Sequence, residues 1–408
     1  MTLHNEIQAQ VKFLSFVATN DDLQSFSIPA GYSVSNNGIE KVAGESMITV
    51  CRRPVIIKSK TFSVDEKIFK LILAYMTQTG NWETLPPTKA TIVFHRNKLV
   101  DLANNGLPVT SSNSNLLVDY RDAFNAQNEN CLPLTYTVSR CGWFHFNGKD
   151  YFVDPRRDCF IVNKEKNISV VVDSLSQFAK SLLQGGKLSE WKKAYELAKK
   201  FPVARIMVVA AIAPILLKIL GERKFLLYIV APTRAGKTTA LYLAASAVGD
   251  EKMIRSFDAT KNSLASAAAD VNDFAFLIDE KQVADHRLKE QFDTLAYALA
   301  LSAADCKAIR NTIKKNHGLA FPLVIDKIFE VGFEKLCETY QNIVDLFTKN
   351  YPDLLNDYCR YIAILTLADA ILNAALTDTE GFHIDEAIQN TEIIFKLIPT
   401  IAEIPDTA

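Results

Sequence analysis

Apolar and polar positions follow two regimes along this chain. Up to about residue 160 the apolar residues fall in short β-branched and aromatic runs: Met47–Cys51, Val55–Lys58, Phe69–Tyr75 and Thr91–Phe94. Such runs suit a pleated, half-buried surface and predict strands. Leu99–Asn104 and Asn115–Phe124 predict helices. Cys141–Phe146 and Tyr151–Val153 flank Asn147-Gly148, a pair that accepts the positive φ of a two-residue hairpin turn, so they predict a β-hairpin. This first region reads as α+β.

From Val170 to Leu220 the spacing becomes helical, with Gly185-Gly186 separating two helices and Ser189-Glu190-Trp191 opening the second. After Pro322 the chain reads as amphipathic helices over Val331–Phe347, Leu354–Ala375 and Ile384–Leu397. Between these helical stretches lie three contiguous apolar runs, Lys224–Val230, Met253–Phe257 and Phe274–Ile278. Unbroken runs of that length predict strands buried on both faces, as in parallel sheets. The expected fold is therefore an α/β P-loop NTPase core, a partial parallel sheet flanked by helices, with an N-terminal α+β domain and a helical C-terminal region. The expected segments are 1–163 for the N-terminal domain, 164–220 for a helical connector, 221–318 for the core and 319–408 for the C-terminal helices. The polar stretch Asn163–Asn167 marks the first boundary.

The chemistry sits where the first apolar run ends. Ala231, Pro232, Thr233, Arg234, Ala235, Gly236, Lys237, Thr238 and Thr239 form a phosphate-binding-loop pattern between a predicted strand and the helix-forming Ala240–Val248. In that context successive main-chain N–H groups wrap a polyphosphate, and the positive end of the helix dipole faces the same anion. Lys237 would reach the β and γ phosphates, and the Thr238 hydroxyl would hold Mg²⁺. Ala231 stands where a first glycine is usual, while Gly236, which lets the backbone approach the phosphate, is present.

A second element follows about forty residues after Lys237, where Phe274–Ile278 ends in Asp279-Glu280. Asp279 is expected to bind Mg²⁺, and Glu280 to act as general base for an attacking water. Taken alone the pair also fits a solvated strand end or a helix cap. Thr260 and Asn262 would lie near the nucleotide edge of the sheet. The expected cofactors are thus ATP and Mg²⁺. No Arg-rich lid and no Asn-Lys-x-Asp motif is found, which argues against a small-molecule kinase and a GTPase.

Composition narrows the class further. A hydrophobic content of 49% with 22% charged residues describes a protein with large cores. The net charge of −1 leaves no global basic field, so any nucleic-acid surface must be local. Seven cysteines (51, 131, 141, 159, 306, 337, 359) are scattered without a Cys-x-x-Cys pair, and six histidines are dispersed, so reduced thiols and no metal cluster are expected. Met1–Gln10 is polar and unlike a signal peptide, and a cytoplasmic location is expected. Ile206–Leu217 spans only 12 apolar residues and contains Pro214, against the ~20 a bilayer requires, so a buried helix and no membrane partner are expected.

In order along the chain, Gly31-Tyr-Ser-Val with Gly38-Ile39, Cys51-Arg-Arg-Pro-Val-Ile56, Trp82, Tyr120, Asn128 and Arg140-Cys-Gly-Trp143 resemble one known family. The loop Ala231–Thr239, Ala244–Gly249, Thr260–Leu264 and Leu277–Glu280 continue the resemblance. That family is domain of unknown function 927, helicase-like P-loop proteins of phages, plasmids and other mobile elements. The resemblance implies an ATPase tied to DNA replication or processing. The chain departs from the family after Glu280, where a glycine- and basic-rich stretch and a strand-containing section are expected. Here Tyr297–Arg310 resembles the start of that stretch without its glycines, and the chain passes through Asn316-His317-Gly318 into helices, as though by an internal deletion.

Arg310 is the arginine-finger candidate for the transferring phosphoryl group, with Lys307 its neighbour. Both also fit a solvated helix end. Lys307–Lys315 is the densest basic run near the core and suits DNA phosphates as well as an ordinary surface; Arg52-Arg53 and Arg156-Arg157 are similar pairs. The expected partners are a nucleotide and single- or double-stranded DNA, and a ring of copies would supply Arg310 in trans. The competing reading is a nucleotide-binding scaffold or degenerate ATPase, motivated by Ala231 and the missing section.

Overall fold

The computed structural model describes residues 26–154, 156, 170–172, 176–229, 235–256, 261–279 and 301–396. The chain divides into two compact units, one of residues 1–139 with 167–173, the other of 140–166 with 174–408.

The first unit is built on strands. β1 (Tyr32–Ser35), β2 (Gly38–Ala43) and β3 (Ser46–Cys51) form an antiparallel sheet. β4 (Val55–Ser63), β5 (Ile68–Met76), β6 (Trp82–Thr84) and β7 (Thr88–Lys89) continue the chain, with β4–β5 and the edges of β5 paired antiparallel. Short helices α1 (Ala90–Val93) and α2 (Arg96–Leu99), then a 3-10 segment over Val100–Asn105, lead to α3 (Ser114–Gln127). β8 (Leu134–Val138) pairs parallel with β4, and β11 (Val170–Val172) pairs parallel with β8. Ile39, Val50, Val55–Ile57, Leu73, Tyr120 and Phe124 form the core between sheet and helix.

Two expectations fail here. Thr91–Val93, expected as strand, lies in α1: the ladder with β5 ends at Lys89, and Val93 then turns into the core with no neighbouring strand to pair with. Val170–Val172, expected at the start of a helical stretch, is the edge strand β11, because β8 offers it an open parallel edge.

The second unit opens with the hairpin β9 (Gly142–Phe146) and β10 (Lys149–Val153), with Asn147 and Gly148 both at positive φ as the turn requires. Upstream of its expected domain end at 163, this hairpin belongs with the helices. Gly142 has φ +115°, and an added Cβ would lie 2.5 Å from Asp273 Oδ2, which instead accepts the Trp143 N–H at 2.8 Å. The helices follow: α4 (Gln177–Ser181), α5 (Leu188–Lys199), α6 (Pro202–Ile212), α7 (Pro214–Leu220) and α8 (Lys237–Val248). A 3-10 turn over Glu251–Met253 precedes β12 (Arg255–Ser256), α9 (Lys261–Val271) and β13 (Ile278–Asp279). The last helices are α10 (Ala303–Ile313), α11 (Phe321–Val331), α12 (Phe333–Asn350), α13 (Asn356–Thr377) and α14 (Asp385–Phe395).

Two helical cores hold this unit. α8 packs on α6 and α10, and Trp191 of α5 donates its indole N–H to Ser246 of α8 at 2.8 Å. α13 packs on α6, α11, α12 and α14. It is long and apolar enough to cross a bilayer, yet 83% of its most apolar window is buried inside the protein. The stretch expected as one buried helix is α6 and α7, bent by 56° at Pro214. Arg205 of α6 donates to Asp369 of α13 at 3.0 Å and to Glu386 of α14 at 2.7 Å. Burial opposes the Arg205 charge, but the two carboxylates outweigh it and hold the guanidinium protonated.

The buried strand expected over Lys224–Val230 is not found among the described residues. Residues 224–229 form no ladder, and Leu226 is 86% exposed. A strand exists by pairing, and this segment is held by side chains instead. Phe225 stacks on Tyr361 of α13, and Glu222 pairs with Arg360. The run Phe274–Ile278 likewise contributes only Ile278 to β13, although Phe274 and Ala275 are buried.

Candidate functional site

The site is best built from the front of α8. Gly236 is its N-cap, in the left-handed conformation at φ 93° and ψ 7°. Glycine is required there twice over, by that φ and by Leu301, whose Cβ would lie 2.9 Å from an added Cβ. Lys237 and Thr238 are the first two residues of the helix, Lys237 half-buried and Thr238 exposed, while Thr239 turns into the core. No side chain caps this N-terminus, and its first turn carries no acidic residue. A helix front left in that state presents main-chain N–H groups and a partial positive charge. Ala235 is half-buried just before it. Ala231, Pro232, Thr233 and Arg234, which would complete the loop, lie outside the described residues, as do Thr260 and Glu280.

Asp279 is the last described residue of β13. β13 runs parallel to β12, with Asp279 opposite Ser256 at the C-terminal ends of both strands. In open α/β sheets that end is where ligands gather. Among the described residues no hydrogen bond or ion pair links Asp279 to Thr238. Asn262 is the second residue of α9.

Arg310 is brought to α8 by α10. Leu301 packs at Gly236, Arg310 meets Tyr242, and the Gly318 N–H donates to the Ser246 carbonyl at 2.7 Å, so α10 runs alongside α8 in the same direction. The Arg310 guanidinium carbon lies 4.4 Å from the centre of the Tyr242 ring. Tyr242 is four residues after Thr238 and shares its face, and helical side chains lean toward the N-terminus. Arg310 is therefore drawn toward the front of α8 within one chain. Lys307, one turn earlier, is exposed and joins no ion pair among the described residues.

Tyr242 was not singled out from sequence. The signal available was a lone aromatic at the fourth position after Thr238 in a helix otherwise made of small and aliphatic residues. Beyond the helix end, burial raises the Asp250 carboxyl pKa, offset only in part by the Lys252 N–H that it accepts. Among the described residues no cluster of His, Cys, Asp and Glu suits a metal ion by itself.

The family model described as Domain of unknown function (DUF927) matches residues 32–316, so the chain belongs to that family. Its fold is shared with a solved protein described as SCCmec type IV Cch, an active helicase: TM-score 0.61, 18% identity, 91% of this chain and 78% of that one covered. No curated protein matches the chain.

Proposed function

We propose that the chain is an ATP-binding, helicase-like P-loop protein of a phage or other mobile element, acting in DNA replication or processing. The observation that carries the reading is the front of α8: a left-handed Gly236, then Lys237 and Thr238, with no side-chain cap. The likeness to the helicase fold and the family membership support the same reading.

The donor set fits a magnesium nucleotide, since a hydroxyl and a carboxylate are the hard oxygen ligands this ion prefers. Ala231–Thr239 would wrap the phosphates, with Lys237 countering the β and γ charges. Thr238 and Asp279 would hold Mg²⁺, which neutralises charge on the triphosphate. Glu280 would accept a proton from the water attacking the γ-phosphorus. Arg310, held over Tyr242, would meet the charge that develops as the bond to the leaving diphosphate breaks. The test is Mg²⁺-dependent ATP hydrolysis with and without single-stranded DNA. Turnover lost in Glu280→Gln supports the reading, and bound ATP without turnover in either condition counts against it.

A nucleotide-binding scaffold without motor activity is the second reading, and one observation favours it. Among the described residues the core's parallel sheet is the short β12–β13 pair, with 224–229 outside it and no strand after β13. Nucleotide binding without turnover, unchanged by Glu280→Gln, would establish this alternative.

A further inference from the structure

Several lysines of the second unit, exposed or partly buried, pair along their own helices. Lys193 pairs with Glu190 at 2.7 Å, Lys199 with Glu196 at 3.5 Å, Lys327 with Glu330 at 2.6 Å and Lys335 with Glu338 at 2.8 Å. Among the described residues α10 has no such pair and gathers its cations close together in sequence. Lys307, Arg310, Lys314 and Lys315 are all exposed, and none has an ion-pair partner among the described residues. Its one acid, Asp305, is taken up by the N-cap, bonded to Ser302 Oγ at 2.7 Å.

The geometry gathers these charges on one side. Ile309 and Ile313 are buried, and Lys307 and Lys314, seven residues apart, share the opposite face. A fifth cation joins from α5. Lys187, its N-cap residue, is exposed, and its N–H donates to Asn316 Oδ1 at 2.7 Å, beside Lys315. The helix dipole accounts for Lys314 and Lys315 at a C-terminus, but not for Lys307 in mid-helix, and it disfavours Lys187 at an N-terminus. In a chain of net charge −1 this groups five cations around one helix and the start of another.

We propose that the row Lys187, Lys307, Lys314 and Lys315 binds the phosphodiester backbone of a nucleic acid. Arg310, facing Tyr242, is left to the nucleotide site. The choice of probe rests on the reading that the protein works on DNA, but the surface does not depend on nucleotide hydrolysis. Since Leu301 packs on Gly236 just before α10 begins, a strand held on this helix would lie one helix away from the nucleotide loop.

The test is fluorescence anisotropy of the full chain with a labelled 20-nucleotide oligothymidine, without nucleotide, from about 50 to 200 mM salt. Duplex DNA and single-stranded RNA of the same length are the other two arms, and the tightest of the three names the source of the phosphates. Lys307→Glu/Lys314→Glu and Lys187→Glu/Lys315→Glu should each weaken binding at least about tenfold. Lys307→Ala/Lys314→Ala should reduce the salt slope on the single strand by about 1.4. The control Lys335→Glu/Lys349→Glu, an equal charge change on α12, should bind as the parent does. The alanine pair keeps the test valid should a glutamate variant fail to fold. Parent-like affinity and slope in the α10 alanine variant, equal weakening in the control, or no binding by the parent would overturn the proposal. ATP affinity measured separately shows whether the nucleotide reading fails or survives with it.

Discussion

The guanidinium of Arg310 lies over the ring of Tyr242, 4.4 Å from its centre, and so ties α10 to the helix that carries Lys237 and Thr238. Both residues belong to one chain. The arginine therefore reaches the side of α8 within one chain, without a neighbouring copy.

If Tyr242 holds Arg310 for catalysis, the ring matters and the hydroxyl does not. Tyr242→Phe should turn over ATP as the parent does. Arg310→Ala should lower kcat by at least about tenfold with little change in KM, the pattern of an interaction made in the transition state. Tyr242→Ala should show a smaller loss of the same kind, and steady-state kinetics on the three variants checks this.

Gly236 is fixed by conformation and by its neighbour, so the two causes separate. Gly236→Ala should cost about 1–3 kcal/mol, from a positive φ and a methyl pressed on Leu301. Adding Leu301→Ala removes the collision but not the φ strain, and should recover less than the full loss. Urea unfolding of the single and double variants measures both parts.

The buried network of Arg205, Asp369 and Glu386 should be asymmetric to mutation. Asp369→Ala leaves a buried guanidinium without its fully buried partner, and should cost about 3–5 kcal/mol. Replacing Arg205 and Asp369 together with apolar residues should cost less. A double-mutant cycle by chemical denaturation decides it.

Glu386 gives a pH dependence of definite sign. Partial burial alone would raise its pKa, but the hydrogen bond and charge of Arg205, with Lys199 beyond, hold it below the ordinary value. An acid whose folded pKa is depressed contributes stability above its unfolded value near ~4.3, and loses it as pH falls through the folded value. Glu386→Gln should therefore be less stable than the parent at pH 6, by under about 1 kcal/mol since the side chain is mostly exposed. The gap should close as pH falls through the folded value, as unfolding curves across the acid range would record.

Much of the local structure was readable because local chemistry decides it. Asn147-Gly148 dictates its hairpin, the β-branched runs at 47–51, 55–58 and 69–75 dictate strands, and Gly236 followed by small helix formers dictates the start of α8. What failed depended on partners elsewhere in the chain. Lys224–Val230 has a strand's composition, but residues 224–229 pair with no strand among the described residues, and Phe225 finds Tyr361 instead. Thr91–Val93 leaves its sheet because the ladder runs out at Lys89. The meeting of Tyr242 and Arg310, sixty-eight positions apart, is set by how α10 lies on α8, and no local pattern encodes that.

Titration of Mg·ATP into the full chain and into Lys237→Ala, by calorimetry with thermal unfolding in parallel, tests the central claim most directly. The parent should bind one nucleotide with saturation, and the variant should lose at least about tenfold in affinity while keeping its Tm within about 2 °C, the expected behaviour of a side chain at the surface of a helix front. Equal binding by both proteins, or none by the parent, would contradict a phosphate site at the front of α8.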